Sequence, residues 1–547
     1  MRSQFICLLL LPLLALGTSS TFINTSSWLG TGYYAPSPSP DNLGWWSFYE
    51  RYRPAVVREL PLLRPTLGIN TLRVFLHTLV FEKNATALLV DLEDFLTLAH
   101  AAELRVGLVL FGSGPQGNAS TTTRCEPRKG LSNGCWKASP QNVDETSIDR
   151  YKAYVEGIVG AHATDARIAF FELANEPVNN TFWNSLRDAA FVWASALRPV
   201  APIISCWLDN RDSELVDVHV YSDDFASMWA ERIYLNESKG ALVTEGGGRW
   251  TEIPTVATPE DSGSPLSALN FLRALHVHEA TPVAPFIPGV LFGWEAVIGN
   301  SYSRYYWGSK LNAPEMHVPW LGMLWPEGTP VSFTEAAAMR EYATGAASTF
   351  LAFDKFLDPT LIRDGNSVLA IAAGSNHTVR GKGGAPYTLT DALVEVALRP
   401  EVGSTASIFV RAASRTDGSF DGYAIHISTS NKTLWIERIE GGTGVLLGSP
   451  FSLSARENGL CVGCYNLLRI IVKTQPDSRA RVSVWFNVMY TDVGFLNDDE
   501  DALRIPHAPL PLIDIVDDAA APLPAGTLII ASAGAAVSID YAAALPV

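Results

Sequence analysis

"IAFFELANEPVNNTFWNSLRDAAFVWASAL", residues 168–197, decides how this chain folds. Residues 168–175 form an almost unbroken apolar run, and from 183 to 197 apolar residues return at helical spacing. A strand apolar on both faces, followed by an amphipathic helix, is the repeating unit of a buried parallel sheet. Outward from this segment the same signal recurs in runs at 28–35, 70–77, 105–112, 202–208, 217–221, 240–246 and 289–296, with helical periodicity at 89–104, 147–163 and 334–346. Eight such runs predict an α/β fold, a (β/α)8 TIM barrel with inserted loops. A doubly wound open sheet is the alternative, but no Gly-rich phosphate loop follows the first run, which argues against a nucleotide site.

Beyond residue 358 the texture changes. Helical periodicity gives way to short alternating runs at 392–400, 406–414, 422–428, 433–439, 467–474, 480–487 and 526–533, which predict an all-β sandwich or jelly roll. The acidic loop at 497–501 lacks the spaced ligands of a calcium loop and reads as solvated. The expected organisation is an export signal at 1–20, a barrel at 21–357 and a sandwich at 358–547. Arg2, the apolar run Phe5 to Leu16 and the small residues around Gly17 carry the signal reading. No later segment has the length of a membrane span, so no stable membrane insertion is expected and the mature chain is expected to be secreted or held in the secretory lumen.

Other features agree with that route. Seven Asn-x-Ser/Thr sequons occur, at Asn24, Asn84, Asn118, Asn179, Asn236, Asn376 and Asn431. Cys125 with Cys135, and Cys461 with Cys464, are plausible disulfide pairs, which leaves Cys206 as a small buried hydrophobe. The net charge of -16, with no run of Lys or Arg, disfavours nucleic acid and anionic membranes as partners. Fifteen tryptophans lean towards a sugar ligand, since aromatic faces suit the apolar faces of sugar rings.

In a barrel of this kind the chemistry sits at the carboxyl ends of the strands. Asn175 and Glu176 end the fourth run, where a lone acid is often just a cap for the next helix. Glu245 ends the seventh run in an equivalent place, with three glycines behind it. Two acids at strand ends are what glycosidic bond cleavage needs, one to protonate the leaving oxygen and one to attack the anomeric carbon or activate water.

With those residues in view, Arg73 in "LRVF", Asn175-Glu176-Pro177, His219 and Tyr221 in "HVY", Glu245, and Trp294 in "FGWE" together resemble the signature of the clan A glycoside hydrolases, the family 5 cellulase-like superfamily. The resemblance spans the barrel region. It implies a retaining hydrolase with Glu176 as acid/base and Glu245 as nucleophile, their carboxyl groups about 5 to 5.5 Å apart. It further implies that Asn175 contacts the 2-hydroxyl, that Tyr221 and Arg73 hold the nucleophile, that His219 joins the substrate-binding set and that Trp294 floors the subsite of the cleaved sugar. Residues 314–342 resemble the closing loop and helix of such barrels, and "FDGYAIHIS" with "TLWIERI" resembles a laminin-G or concanavalin-like jelly roll.

Glu295 follows Trp294 and is a second-ranked carboxylate, expected to face away if Trp294 faces the site. His77 is placed either lining the site or as a packing histidine, and Trp207 either on a sugar or in the core. His276 and His278 lie two apart in a helical segment and diverge, so no metal site is expected, and no cofactor. The expected partner is a carbohydrate, whether polysaccharide, oligosaccharide or glycoconjugate. Two alternatives stand beside the β-glycosidase: a galactocerebrosidase-like exo-glycosidase acting on a glycolipid, and a glycan-binding protein without catalysis.

Overall fold

A computed structural model of the chain describes residues 28–33, 43–112, 139–140, 145–177, 179–206, 213–220, 241–246, 289–292, 295–298, 322–344, 352–355, 369–379, 387–454, 459–463, 465–487, 510–519 and 523–547. The expected signal at 1–20, the acidic loop at 497–501, His276, His278, Cys125, Cys135 and Cys464 lie outside these residues. Among the described residues no helix is long and apolar enough to cross a membrane.

The eight apolar runs form eight parallel strands: β1 (Trp28–Gly32), β2 (Thr71–Phe75), β3 (Arg105–Gly112), β4 (Ile168–Asn175), β5 (Ile203–Cys206), β6 (Val216–Val220), β7 (Ala241–Gly246) and β8 (Gly289–Phe292). Each pairs with the next, and β8 returns to β1 through Trp28↔Gly289 to Thr31↔Phe292, so the sheet closes into a barrel. β8 is described over Gly289–Phe292, and Glu295, expected within the run to 296, lies outside the strand.

Around the barrel lie α1 (Tyr49–Leu67), α2 (Thr78–Lys83), α3 (Ala85–Ala101), α4 (Lys152–Ala161), α5 (Thr181–Ala196) and α6 (Phe333–Thr344). α5 begins at Asn180, whose Oδ1 accepts from Trp183 N at 2.9 Å, an Asn cap that satisfies one orphan helix donor. α1 was not legible in the sequence, because Pro54, Pro61 and Pro65 interrupt it. Tyr49, Tyr52, Val56, Leu60, Leu63 and Leu67 nevertheless form one buried stripe at helical spacing, and burial of that stripe outweighs the lost backbone bonds.

Two layers of core hold the barrel. Between helices and sheet, large apolar side chains such as Phe95, Leu92, Phe171 and Leu173 are completely buried. Inside the barrel, Phe170, Ile204, Leu242 and Leu291 form a small apolar plug with Trp28 and Leu215 against it. Phe170 fits because β3 carries Gly107 opposite it, where a Cβ would lie 2.1 Å from the ring. Above this plug the interior becomes polar.

The second half forms two antiparallel sheets from β9 (Ala352–Lys355), β10 (Leu369–Ile371), β11 (Asn376–Thr378), β12 (Ala392–Pro400), β13 (Thr405–Ser414), β14 (Phe420–Ser428), β15 (Thr433–Glu440), β16 (Thr443–Ser452), β17 (Asn466–Thr474), β18 (Ala480–Phe486), β19 (Ile513–Val516), β20 (Thr527–Ala533) and β21 (Val537–Pro546). One sheet runs β10-β21-β12-β17-β18-β19 with β9 on β21, and the other β11-β20-β13-β14-β15-β16. Ile408, Ile425, Ile436, Val396, Ile470 and Val484 alternate inward to form the shared core. Because β9 pairs with β21, this architecture takes in residues 352–355, ahead of the 358 expected from texture. Cys461 is disulfide-bonded.

Candidate active site

The polar layer above the plug is organised by Arg73 on β2, which is 1% exposed. Its guanidinium grips Glu172 on β4 as a fork, Nε to Oε2 at 2.6 Å and Nη2 to Oε1 at 2.5 Å. Nη2 also donates to Asn175 Oδ1 at 2.7 Å, and Nη1 donates to Glu245 Oε1. Burial alone would lower the Arg73 pKa, but Glu172 and then Glu245 outweigh it and hold it well above its ordinary value. Arg73 is thus a fixed cation that orients one catalytic candidate, Glu245, and the amide of Asn175.

Glu176 follows directly on β4 and has a positive φ of 42°, a conformation that costs a non-glycine residue energy and clusters at functional sites. Its side chain is 17% exposed, whereas that of Glu245 is 3% exposed. The two carboxylates meet at His219 of β6. His219 Nδ1 lies 2.8 Å from Glu176 Oε1 and 3.4 Å from Glu245 Oε2. One oxygen of each acid and a ring nitrogen of His219 all fall within 4.8 Å of one another.

On the other edge of the ring, His219 Nε2 lies 3.0 Å from Thr244 Oγ1 and 3.2 Å from the thiol of Cys206. Thr244 Oγ1 donates to Asp217 Oδ1 at 2.6 Å. Asp217 and His219, two apart on β6, share the interior face. Burial first, and then the charge of Glu172, push the Asp217 carboxyl well above the usual carboxylate range. For His219 burial acts downward, but Glu245 and the bond to Glu176 outweigh it, so its pKa is raised. Burial, with Asp217 and Glu172 beside it, pushes the Cys206 thiol up and keeps it neutral, a free thiol.

The structure therefore brings together Arg73, Asn175, Glu176, His219 and Glu245. Glu295 is fully buried past the end of β8. His77 caps α2, its Nδ1 accepting from Leu79 N at 3.2 Å. Trp207, Tyr221 and Trp294 lie outside the described residues. Sequence reasoning missed Glu172, Asp217 and Thr244 and gave Cys206 no polar contact. A signal for two of them was present: Glu172 is an acid inside an apolar strand, and Asp217 stands in step with His219 in "DVH". Of the seven sequons, Asn84, Asn179, Asn376 and Asn431 are described and all are exposed, Asn179 with its Oδ1 turned to Asn184 of α5.

No family model matches the chain, and no curated protein does. Among solved structures it is similar to an endo-β-1,4-mannanase from Thermotoga petrophila, at 13% identity over 84% of this chain and 94% of that one with a TM-score of 0.37. It is also similar to GH5_18 from Streptomyces cattleya, solved in complex with GlcNAc, at 15% identity over 59% and 82% with a TM-score of 0.37. The carbohydrate binding module CBM66 from Bacillus subtilis aligns at 12% identity over 31% and 77%, with a TM-score of 0.17. All of these TM-scores lie below 0.5.

Proposed function

We propose that the barrel cleft is the active site of a retaining β-glycosidase, with Glu176 as acid/base and Glu245 as nucleophile. The observation that carries this reading is the approach of the two carboxylates, one oxygen of each within 4.8 Å of the other. That proximity suits a retaining pair, whose carboxyl groups stand about 5 to 5.5 Å apart. The asymmetry of the two sites supports the assignment of roles. Glu245 is buried and ion-paired to Arg73, which favours its charged, nucleophilic form. Glu176 is the more open to an incoming group, and its partner is a histidine able to serve either protonation state.

In the first step the Glu176 proton passes to the glycosidic oxygen while Glu245 bonds to the anomeric carbon and the leaving sugar departs. In the second, Glu176 takes a proton from water, whose oxygen displaces Glu245 with the configuration restored. Asn175, held by Arg73, is placed beside the pair to contact a sugar hydroxyl. The substrate class is a carbohydrate, as polysaccharide, oligosaccharide or glycoconjugate, and the expected setting is the secretory lumen or the exterior.

The test is hydrolysis of a panel of aryl β-glycosides and glycans by the full chain, with the product anomer read by NMR. Retention of configuration is expected, together with a loss of at least about 10²-fold in Glu176→Gln and Glu245→Gln. Undiminished turnover in either variant, or an inverted product, overturns the assignment.

A further inference from the structure

Behind the acid/base stands a buried hydrogen-bonded row that the two-carboxylate chemistry does not itself require: Asp217, Thr244 and His219. We propose that Asp217, acting through Thr244, holds a proton that keeps His219 Nδ1–H pointed at Glu176 and thereby aims the acid proton of Glu176 at the substrate. The inference rests on the glycosidase reading of the same site. Neither Asp217 nor Thr244 is exposed, so both are positioning residues.

His219 Nδ1 faces two carboxylates, Glu176 at 2.8 Å and Glu245 at 3.4 Å, and a bare nitrogen lone pair there would be repelled by an ionised Glu245. With a proton on Nδ1, Glu176 Oε1 accepts from it. The acid's own proton then stands on Oε2, the oxygen that Nδ1–H does not occupy.

What fixes Nδ1–H is the other edge of the ring. Thr244 has one hydroxyl proton and sits between Asp217 Oδ1 at 2.6 Å and His219 Nε2 at 3.0 Å. If Asp217 is protonated on Oδ1, it donates to Thr244, Thr244 donates to Nε2, and the neutral ring carries its proton on Nδ1. If that proton has moved along the row, Asp217 is ionised, Thr244 donates to it, Nε2–H donates to Thr244, and the ring is a cation that still carries Nδ1–H. One shared proton therefore gives the same outcome in both arrangements.

Only when that proton is lost does the ring become neutral with Nε2–H alone. Nδ1 then accepts the proton of Glu176 and turns it away from the substrate. Loss of the shared proton accordingly lowers activity on the alkaline side, beside ionisation of Glu176 itself.

The surroundings favour keeping it. Asp217 Oδ2 is buried and has no hydrogen-bond partner among the described residues, a costly state for an ionised carboxylate. Among the described residues the charged and titratable groups facing Asp217 are Glu172 from β4, Arg73 from β2, Cys206 from β5 and His219 from its own strand. Burial and Glu172 raise the affinity of Asp217 for its proton, and Arg73 and His219 oppose them. Cys206, a neutral thiol 3.2 Å from Nε2, leaves the charge balance unchanged.

Two variants of the full chain test this. In Asp217→Asn the amide N–H donates permanently to Thr244, so Nδ1–H persists and the alkaline limb of kcat/KM moves to higher pH. In Thr244→Val the row is cut, the alkaline limb moves to lower pH and kcat at neutral pH falls about tenfold with KM unchanged, while Thr244→Ser restores the normal profile. Selective 15N-histidine labelling, with His219 assigned through His219→Gln, reads the ring protons without any substrate. The unmodified protein should pass from Nδ1–H to Nε2–H as pH rises, and Asp217→Asn should not. Should Thr244→Val fail to fold, Asp217→Asn carries the test alone. The proposal is overturned if the His219 titration and the alkaline limb are the same in Asp217→Asn as in the unmodified protein. If the unmodified protein cleaves no glycan, the glycosidase reading fails, while the NMR titration still decides the state of the row.

Discussion

At the residue scale, several buried groups make stability depend on pH in one direction. Glu59 of α1 is fully buried and accepts from Tyr33 Oη at 2.9 Å and from Arg58 at 2.6 Å. Burial pushes its carboxyl from 4.5 up to about 7, against the pull of Arg58 and Tyr33. The native chain then binds a proton that the unfolded chain has released, so stability falls as pH rises from about 4.5 to about 7. The raised pKa values of Asp217 and His219 act with the same sign, since each native group keeps its proton to higher pH than the unfolded one. Chemical denaturation should therefore show the protein more stable at pH 5 than at pH 8. In Glu59→Gln, which keeps an acceptor for Tyr33, the loss should shrink by an amount on the order of 3 kcal/mol. An unchanged slope in that variant would remove Glu59 as a cause.

At the scale of single elements, the barrel interior is fitted strand against strand. Gly107 on β3 exists to admit the Phe170 ring of β4, and a Cβ at 2.1 Å from that ring leaves no room. Gly107→Ala should destabilise the chain by about 1–3 kcal/mol, read from the denaturation midpoint, through displacement of Phe170 beneath Glu172. Gly107→Ala with Phe170→Leu should recover part of the loss, because the smaller side chain vacates the contact. The strand spans were readable at this scale because both faces of each are apolar. The place of Glu295 was not, since nothing in "LFGWEA" marks it as lying outside the strand.

At the scale of the whole molecule, barrel and sandwich share structure. Glu395 of β12, completely buried, accepts from the backbone of Phe333 and Thr334 and from the hydroxyls of Ser332 and Thr334 at the start of α6. It is the anion that the positive end of that helix favours, supplied from the other unit. Arg469 of β17 pairs with Glu395 at 3.0 Å and donates to Val331 O at 2.5 Å. Around this pair Ile298, Trp325, Val331 and Ala337 pack against Leu393, Ala397, Tyr465, Leu467, Ala543 and Leu545. Ile298 and Leu324 are in turn hydrogen-bonded, N to O at 2.7 Å, which ties this contact to the segment just beyond β8. Glu395→Ala should cost about 3–5 kcal/mol, because it strands a buried guanidinium, and barrel and sandwich should melt in one transition. Two separate calorimetric transitions, with the barrel's unmoved, would show instead that the contact couples nothing.

By itself the sequence determined the strands of the barrel, the change to alternating strands downstream, and the acids at the ends of the fourth and seventh strands. These are local properties: apolar runs and their periods are written in the order of residues, and a strand end is a place in that order. Asn175, Glu176 and Glu245 were found because each stands at or near such an end, and Arg73 and His219 through the motifs "LRVF" and "HVY". Only the tertiary structure decided which groups stand behind them. Glu172 is 99 residues from its partner Arg73, and Thr244 is 27 from Asp217 and 25 from His219. Nothing in the local pattern around any of them encodes the meeting, because closing the barrel is what turns separate inward-facing positions into neighbours. The same holds for Glu395, which reads as a lone acid in an apolar strand until the sandwich brings it to the start of α6. Period and composition act along the chain, whereas a buried charge is stable only beside a partner across space, and that partner is chosen by the fold.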